Sequence, residues 1–93
     1  MAVAFLIPGY LRPFTQGQGR IEIESRPANV GEALAVLWSL HPGVRDRVVT
    51  EQGEIRQHVN VFVGHESIRF TGGLATPLGD GAEITIVPAV SGG

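Results

Sequence analysis

The chain has 93 residues, a formal net charge of −2 and no cysteine. This length provides one domain with a single hydrophobic core, and the missing cysteine excludes a disulfide framework, a thiolate metal site and a cysteine nucleophile. The slightly acidic charge and the absence of a basic run argue against nucleic-acid binding, and the lack of a signal peptide or a membrane-spanning stretch predicts a soluble cytoplasmic protein.

The N-terminal part of the chain predicts a β-hairpin. Residues 2–7 are apolar at every position, which is typical of a strand covered on both faces. Residues 8–19 contain several prolines and glycines and form a turn-rich loop. Residues 20–24 alternate polar and apolar, so Ile21 and Ile23 face inward on a second, half-exposed strand.

The next segment predicts the main helix. Asn29 is suited to cap the helix start, and Glu32 follows three residues later in the capping-box relation. Apolar side chains then recur at the spacing that places them on one helix face: Val30, Leu34, Leu37 and Trp38. Pro42 disfavours helical backbone before it, so the helix should end near Leu40, with a further short helical turn over residues 44–48.

The C-terminal half predicts three more strands. Residues 59–63 and 68–70 both alternate, and the Gly-His pair at 64–65 suits a type II′ hairpin turn between them. Residues 71–81 are rich in glycine and should form a loop or a short helical turn. Residues 83–87 alternate again and form the last strand.

This order of elements predicts the α+β class, with one main helix packed on one face of a mixed sheet of about five strands. Residues 1–88 form the domain, and residues 89–93 are expected to be a flexible tail. If the inward residues of the strands meet the helix, Phe62, Arg69 and Val87 face away from it and form a candidate docking patch for a partner. Isolated apolar side chains also occur on surfaces without a function.

The folded part carries no recognisable catalytic constellation. The three histidines, His41, His58 and His65, lack the spacing of metal ligands, and no serine lies in a nucleophile motif. The glycine pairs are not followed by the lysine of a phosphate-binding loop. We therefore predict no catalytic residue and no metal site, and interpret the chain as a carrier or substrate for other enzymes. The chain also contains no lysine, so it cannot build isopeptide-linked chains on itself.

The C-terminal diglycine is the best candidate for chemistry. Gly92 and Gly93 can lie close against a partner because they have no Cβ, while Val90 and Ser91 add only modest bulk for recognition of the tail. The terminal carboxylate of Gly93 is ionised at neutral pH and can attack the α-phosphate of ATP to give an acyl adenylate. Two terminal glycines also arise by chance in a glycine-rich chain, or as a linker scar.

The element order, the Asp80-Gly81 turn before the last strand, and the Gly92-Gly93 end together resemble the ThiS/MoaD family of ubiquitin-like β-grasp sulfur carriers. The resemblance covers essentially the whole chain. Residues 7–13, 59–63 and 68–76 look most like the CysO branch of that family, which serves a cysteine synthase.

The resemblance implies that an E1-like adenylyltransferase, using ATP and Mg²⁺, activates Gly93, which then becomes a thiocarboxylate. The carrier itself would bind no cofactor. In the CysO branch the thiocarboxylate attacks an aminoacrylate made from O-phosphoserine on a PLP-dependent cysteine synthase, and a metalloprotease releases the product. Three alternatives stay open: the small subunit of molybdopterin synthase, paired with its large subunit; a modifier attached to lysines of other proteins; and a plain interaction domain.

Overall fold

The computed structural model describes residues 2–88, which form a mixed five-stranded sheet with helices packed on one face, as the sequence predicts. The strands are β1 (Val3–Leu6), β2 (Arg20–Ile23), β3 (Val59–Val63), β4 (Glu66–Ser67) and β5 (Glu83–Pro88). The helices are α1 (Val30–Leu40), α2 (Pro42–Val48) and 3₁₀ helices at Gly9–Thr15, Ile68–Phe70 and Gly73–Ala75.

The last strand lies in the middle of the sheet, whose order is β2-β1-β5-β3-β4. Strand β5 runs parallel to β1 and antiparallel to β3, and β1 is also antiparallel to β2. Alternate residues of these strands are buried against α1 and α2 in one core, among them Phe5, Ile84 and Val61. Because β5 is hydrogen-bonded on both sides, the point at which the chain leaves the sheet is fixed by the core.

Helix α1 begins as the capping-box pattern predicts. The side-chain oxygen of Asn29 accepts a hydrogen bond from the backbone N–H of Glu32 at 2.9 Å. The Glu32 carboxylate in turn accepts from the backbone N–H of Ala28 at 3.0 Å. The first bond satisfies a donor that the first helical turn leaves unpaired, and the second ties the residue before the cap to that turn. The predicted stripe is confirmed: Val30, Leu34 and Leu37 are buried, and Trp38 is half-buried.

The predicted strand over residues 68–70 is wrong, because this segment is a 3₁₀ helix. The Ser67 side chain accepts from the backbone N–H of Arg69 at 3.3 Å, which favours a turn over a continued strand. Strand β4 therefore ends at Ser67, and Phe70 is 89% exposed instead of facing the core. The hairpin turn before β4 is present, and Gly64 there has a φ of 60°, which a type II′ turn requires at its first central position.

Candidate functional site at the end of the central strand

Strand β5 ends at a defined position in the sheet. Pro88 is the last residue of β5 and pairs with Val59, the first residue of β3. Leu6, the last residue of β1, pairs with Thr85, which lies three residues before Pro88 on β5. We call this side of the sheet, formed by Pro88 and the adjacent ends of β1 and β3, the tail-exit end. Proline has no N–H to donate to the ladder, which suits the last position of a strand.

The residues predicted to carry the chemistry come directly after this position. Gly93, the predicted modification site, and Gly92, Ser91 and Val90, predicted for tail recognition, all lie outside the described residues 2–88. Five residues follow Pro88, and a chain of this length spans at most about 18 Å when fully extended. Any group that holds Gly93 must therefore approach the tail-exit end of the sheet.

The sheet face opposite the helices carries a small apolar patch. Phe62 pairs with Thr85, and Thr85 also pairs with Leu6 on its other side, so these three residues form one row across β3, β5 and β1. Val87 lies two residues beyond Thr85 on β5 and therefore on the same face. All four side chains are half-buried. We call Leu6, Phe62, Thr85 and Val87 the outer patch.

The structure thus brings Phe62 and Val87 together on one face, as the alternation of their strands predicts. Leu6 is a member of the patch that the sequence did not single out. Residues 2–7 are apolar at every position, so alternation could not show which of them face outward. The place of Leu6 in the patch can be recognised only from the strand pairing, in which Leu6 and Phe62 both lie opposite Thr85 of β5.

Arg69 does not belong to the outer patch, which corrects the sequence-based expectation. It lies in the 3₁₀ helix Ile68–Phe70, and its guanidinium donates to the backbone carbonyls of Gln57 at 3.2 Å and Val59 at 3.3 Å. The side chain lines a cavity whose wall also includes the core residues Val61 and Ile68, so it lies towards the helix side of the sheet. Its described contacts tie the 3₁₀ helix to the start of β3.

Charged residues border the outer patch on β2 and β5. Arg20 donates to the Glu83 carboxylate at 2.9 Å and approaches the Glu22 carboxylate at 3.4 Å. The hydrogen bond to Glu83 raises the pKa of Arg20 above its ordinary value. All three side chains are largely exposed, so the cluster contributes little to stability and mainly forms a polar border beside the apolar row.

The described part of the chain shows neither a metal centre nor a membrane-spanning helix. Residues 2–88 bring together no group of three or more histidine, cysteine, aspartate or glutamate side chains that could hold a metal ion. Within the same range, no helix is long and apolar enough to cross a lipid bilayer. The features that distinguish this surface are the outer patch and the tail-exit end beside it.

Comparison with known proteins places these features in context. The model of the ThiS family matches residues 5–93. The sulfur carrier protein CysO of Mycobacterium tuberculosis is 37% identical over an alignment of 95 positions, which covers 100% of both chains. Small archaeal modifier protein 1 of Haloferax volcanii is 38% identical over 74 residues, which cover 80% of this chain and 79% of that protein.

A solved structure agrees with this relationship. A chain in the crystal structure of the Amycolatopsis orientalis BexX/CysO complex superposes on this protein with a TM-score of 0.86 and 39% sequence identity. The match covers 99% of this chain and 100% of that chain. The similarity confirms the predicted β-grasp, ubiquitin-like fold.

Proposed function

Because the chain belongs to the ThiS family, we propose that it is a sulfur carrier protein and that its C-terminal Gly93 carries the sulfur. The observation that carries this proposal is the full-length similarity to the sulfur carrier CysO, in a chain that ends in Gly92-Gly93. The protein acts in this account as a co-substrate that other enzymes modify. We expect the protein to act in the cytoplasm, because the proposed activation consumes ATP.

The proposed chemistry has two steps. In the first step, an oxygen of the Gly93 carboxylate attacks the α-phosphorus of ATP, and pyrophosphate leaves. An E1-like adenylyltransferase that uses Mg²⁺ catalyses this step. In the second, a hydrosulfide-level sulfur nucleophile attacks the acyl carbon, the C–O bond to AMP breaks, and a proton is released. The products are AMP and a thiocarboxylate at Gly93. In both steps the carrier contributes only the reacting carboxyl group. The activating enzyme must therefore supply every catalytic group.

The folded domain contributes binding energy. Ordering the five residues after Pro88 inside an enzyme costs on the order of 5–10 kcal/mol of backbone entropy. Docking of the domain must offset this cost, and the outer patch is the surface we assign to it. Phe62 and Val87 provide apolar area close to the tail-exit end, and Leu6 extends it across β1. A rigid patch beside the exit would position the tail for entry into the enzyme.

The acceptor that we propose is a PLP-dependent cysteine synthase. The similarity to CysO over the full length of both chains supports cysteine biosynthesis. In that pathway the thiocarboxylate sulfur adds to an aminoacrylate derived from O-phosphoserine, and the acyl group then shifts from sulfur to the amino group to give a peptide-linked cysteine. A metalloprotease hydrolyses this amide bond and releases cysteine. The alternative acceptor is the large subunit of molybdopterin synthase. Both would use the same thiocarboxylate, so incubation of the loaded carrier with each purified acceptor distinguishes them by the product formed.

A second candidate function is protein modification. The similarity to small archaeal modifier protein 1 favours it, because attachment of a modifier needs the same activated glycine. Conjugates of higher mass in a cell extract, absent when Gly93 is deleted, would support this function. This chain contains no lysine, so any isopeptide-linked conjugate must form on a lysine of a different protein.

The proposed function is tested by ATP–pyrophosphate exchange on the cognate adenylyltransferase. The wild-type chain should support exchange, and the chain lacking Gly93 should not. Gly92 would then be terminal but one residue short of the reacting phosphate, which is why the deletion is a sharp control. Equal exchange with both chains would show that the enzyme does not use this carboxylate.

A further inference from the structure

A cleft of about 380 Å³ opens at the tail-exit end, between the 3₁₀ helix Gly9–Thr15 and α2. Its lining residues come from three separate parts of the chain: Tyr10, Phe14, Asp46, Arg47, Arg56 and His58. His58 directly precedes Val59, which pairs with Pro88 at the end of β5. The cleft therefore lies next to the point where the chain leaves the sheet.

Two guanidinium groups of the cleft are held in place by their neighbours. The Arg47 guanidinium carbon lies 4.6 Å from the centre of the Phe14 ring, which is a cation–π contact. The Nε of Arg56 donates to the backbone carbonyl of Asp46 at 2.9 Å, which orients its terminal nitrogens. Holding an arginine in this way lowers the entropy that it loses on binding a ligand.

The local charge of the cleft is positive although the whole chain carries −2. Asp46 is the one carboxylate among the lining residues within the described part of the chain. Its side chain is 81% exposed and approaches Arg45 at 3.5 Å, so a neighbouring cation already offsets its charge. Burial raises the pKa of the Tyr10 phenol, so this hydroxyl stays protonated and can donate a hydrogen bond.

This set of groups matches a carboxylate. Arginine recognises carboxylates through paired N–H donors, and the Tyr10 hydroxyl and the His58 ring can supply further donors at the same cleft. In the proposed adenylation an extended tail would carry the Gly93 carboxyl group up to about 18 Å beyond Pro88. The ATP phosphates that react with this group would then lie far from the cleft. The part of the activating enzyme that would contact the cleft is instead the surface around the entrance of the channel that takes the tail.

We propose that the cleft receives an acidic segment of the activating enzyme at the mouth of the channel that takes the tail. This inference rests on the proposed function and adds a second contact to it. The outer patch would contact the enzyme through apolar area on one side of the exit, and the cleft would contact aspartate or glutamate side chains on another. Charge pairs of this kind select the partner and accelerate encounter.

The test is steady-state adenylation kinetics with the cognate adenylyltransferase and the full-length carrier. For the double variant Arg47→Gln/Arg56→Gln we expect a KM for the carrier about tenfold higher, with kcat within about twofold of wild type. The wild-type KM should rise with salt, and the double variant should show a weaker salt dependence. The matched control is Arg26→Gln, which removes the same charge after β2, at the opposite end of the sheet, and should leave KM unchanged.

A second variant separates charge from packing. Arg47→Lys/Arg56→Lys keeps both charges and should restore most of the lost affinity. A glutamine variant with unchanged KM would overturn the proposal, and so would lysine and glutamine variants that are equally impaired.

Titration of the carrier alone with pyrophosphate, followed by amide chemical shifts, should leave the cleft unperturbed; saturable shifts there would identify a small-anion site instead. If the wild-type chain is not adenylated at all, the proposed function fails and this inference fails with it.

Discussion

At the scale of single residues, the docking that we propose depends on side chains that the fold leaves half-exposed. Phe62 and Val87 could be predicted to share a face because each lies between the inward-facing apolar residues of an alternating strand. Arg69 could not be placed, because the Ser67 hydroxyl turns the backbone into a 3₁₀ helix and two carbonyls of the preceding segment hold the guanidinium. Side chain–backbone bonds of this kind leave no periodic signal in a sequence.

The outer patch predicts that Phe62→Ala weakens enzyme binding more than it weakens the fold. The side chain is half-buried, so we expect the free energy of unfolding to fall by about 1 kcal/mol, and the KM in adenylation to rise about tenfold. The matched control is Phe70→Ala, which makes the same change at an exposed position outside the patch. Equal effects of the two substitutions on KM would remove the patch from the account.

Tyr10 offers a direct probe of the cleft because it is the only tyrosine in the chain. Burial raises the pKa of its phenol above the ordinary value of 10.0. The folded pKa therefore exceeds the unfolded one, so the contribution to stability is complete below the unfolded pKa and is lost as the pH rises through the folded pKa. The absorbance of the phenolate should titrate at higher pH in folded protein than in urea. A folded midpoint at or below the unfolded one would contradict this environment.

At the scale of elements, the strands and helices serve to fix β5. The helix α1 and strands β1, β2, β3 and β5 were predictable, because capping residues and alternation carry local signals that agree with the core. The 3₁₀ helix Gly9–Thr15 was not predictable, since it forms where a turn-rich loop was expected. That helix is held by contacts with α2, and it provides Tyr10 and Phe14 to the cleft. Two of the six residues that line the cleft therefore depend on tertiary structure that no local pattern shows.

The cap of α1 gives a prediction at this scale. Asn29→Ala removes the acceptor for the Glu32 N–H, and we expect the free energy of unfolding to fall by about 1 kcal/mol, measured by urea denaturation. Adenylation kinetics below the unfolding transition should be unchanged, since α1 packs on the face opposite the outer patch. Asn29→Asp retains an acceptor and should restore stability; an equally unstable aspartate variant would show that the cap bond is unimportant.

At the scale of the whole molecule, residues 2–88 form one folded domain, and the reaction that we propose takes place on the terminus that follows it. One hydrophobic core joins both helices to the inner face of the sheet and fixes the tail-exit end. The outer patch and the cleft both lie near that end, so a partner that takes the tail can contact each of them. The sequence predicted the fold, and Gly93 as the reacting residue stays a prediction. The arrangement of the surface around the exit required the register of β1, β3 and β5.

This separation predicts that the terminus can be altered without loss of the fold. Gly93→Ala should change the free energy of unfolding by no more than about 0.5 kcal/mol while abolishing activation, because the added Cβ would keep the terminus from lying directly against the activating enzyme that we propose. Thermal and urea unfolding of the variant, together with pyrophosphate exchange, give both quantities. A marked fall in stability would mean that the terminus is part of the folded structure.

The central claim, that Gly93 carries sulfur, is tested most directly by intact mass spectrometry. The chain with its native C-terminus is incubated with the cognate adenylyltransferase, ATP, Mg²⁺ and a sulfide source, and the product is fragmented. The account predicts that one oxygen of the Gly93 carboxyl group is replaced by sulfur, and that omitting ATP prevents the replacement. An unchanged mass, under conditions in which the same enzyme loads an established carrier, would contradict the claim.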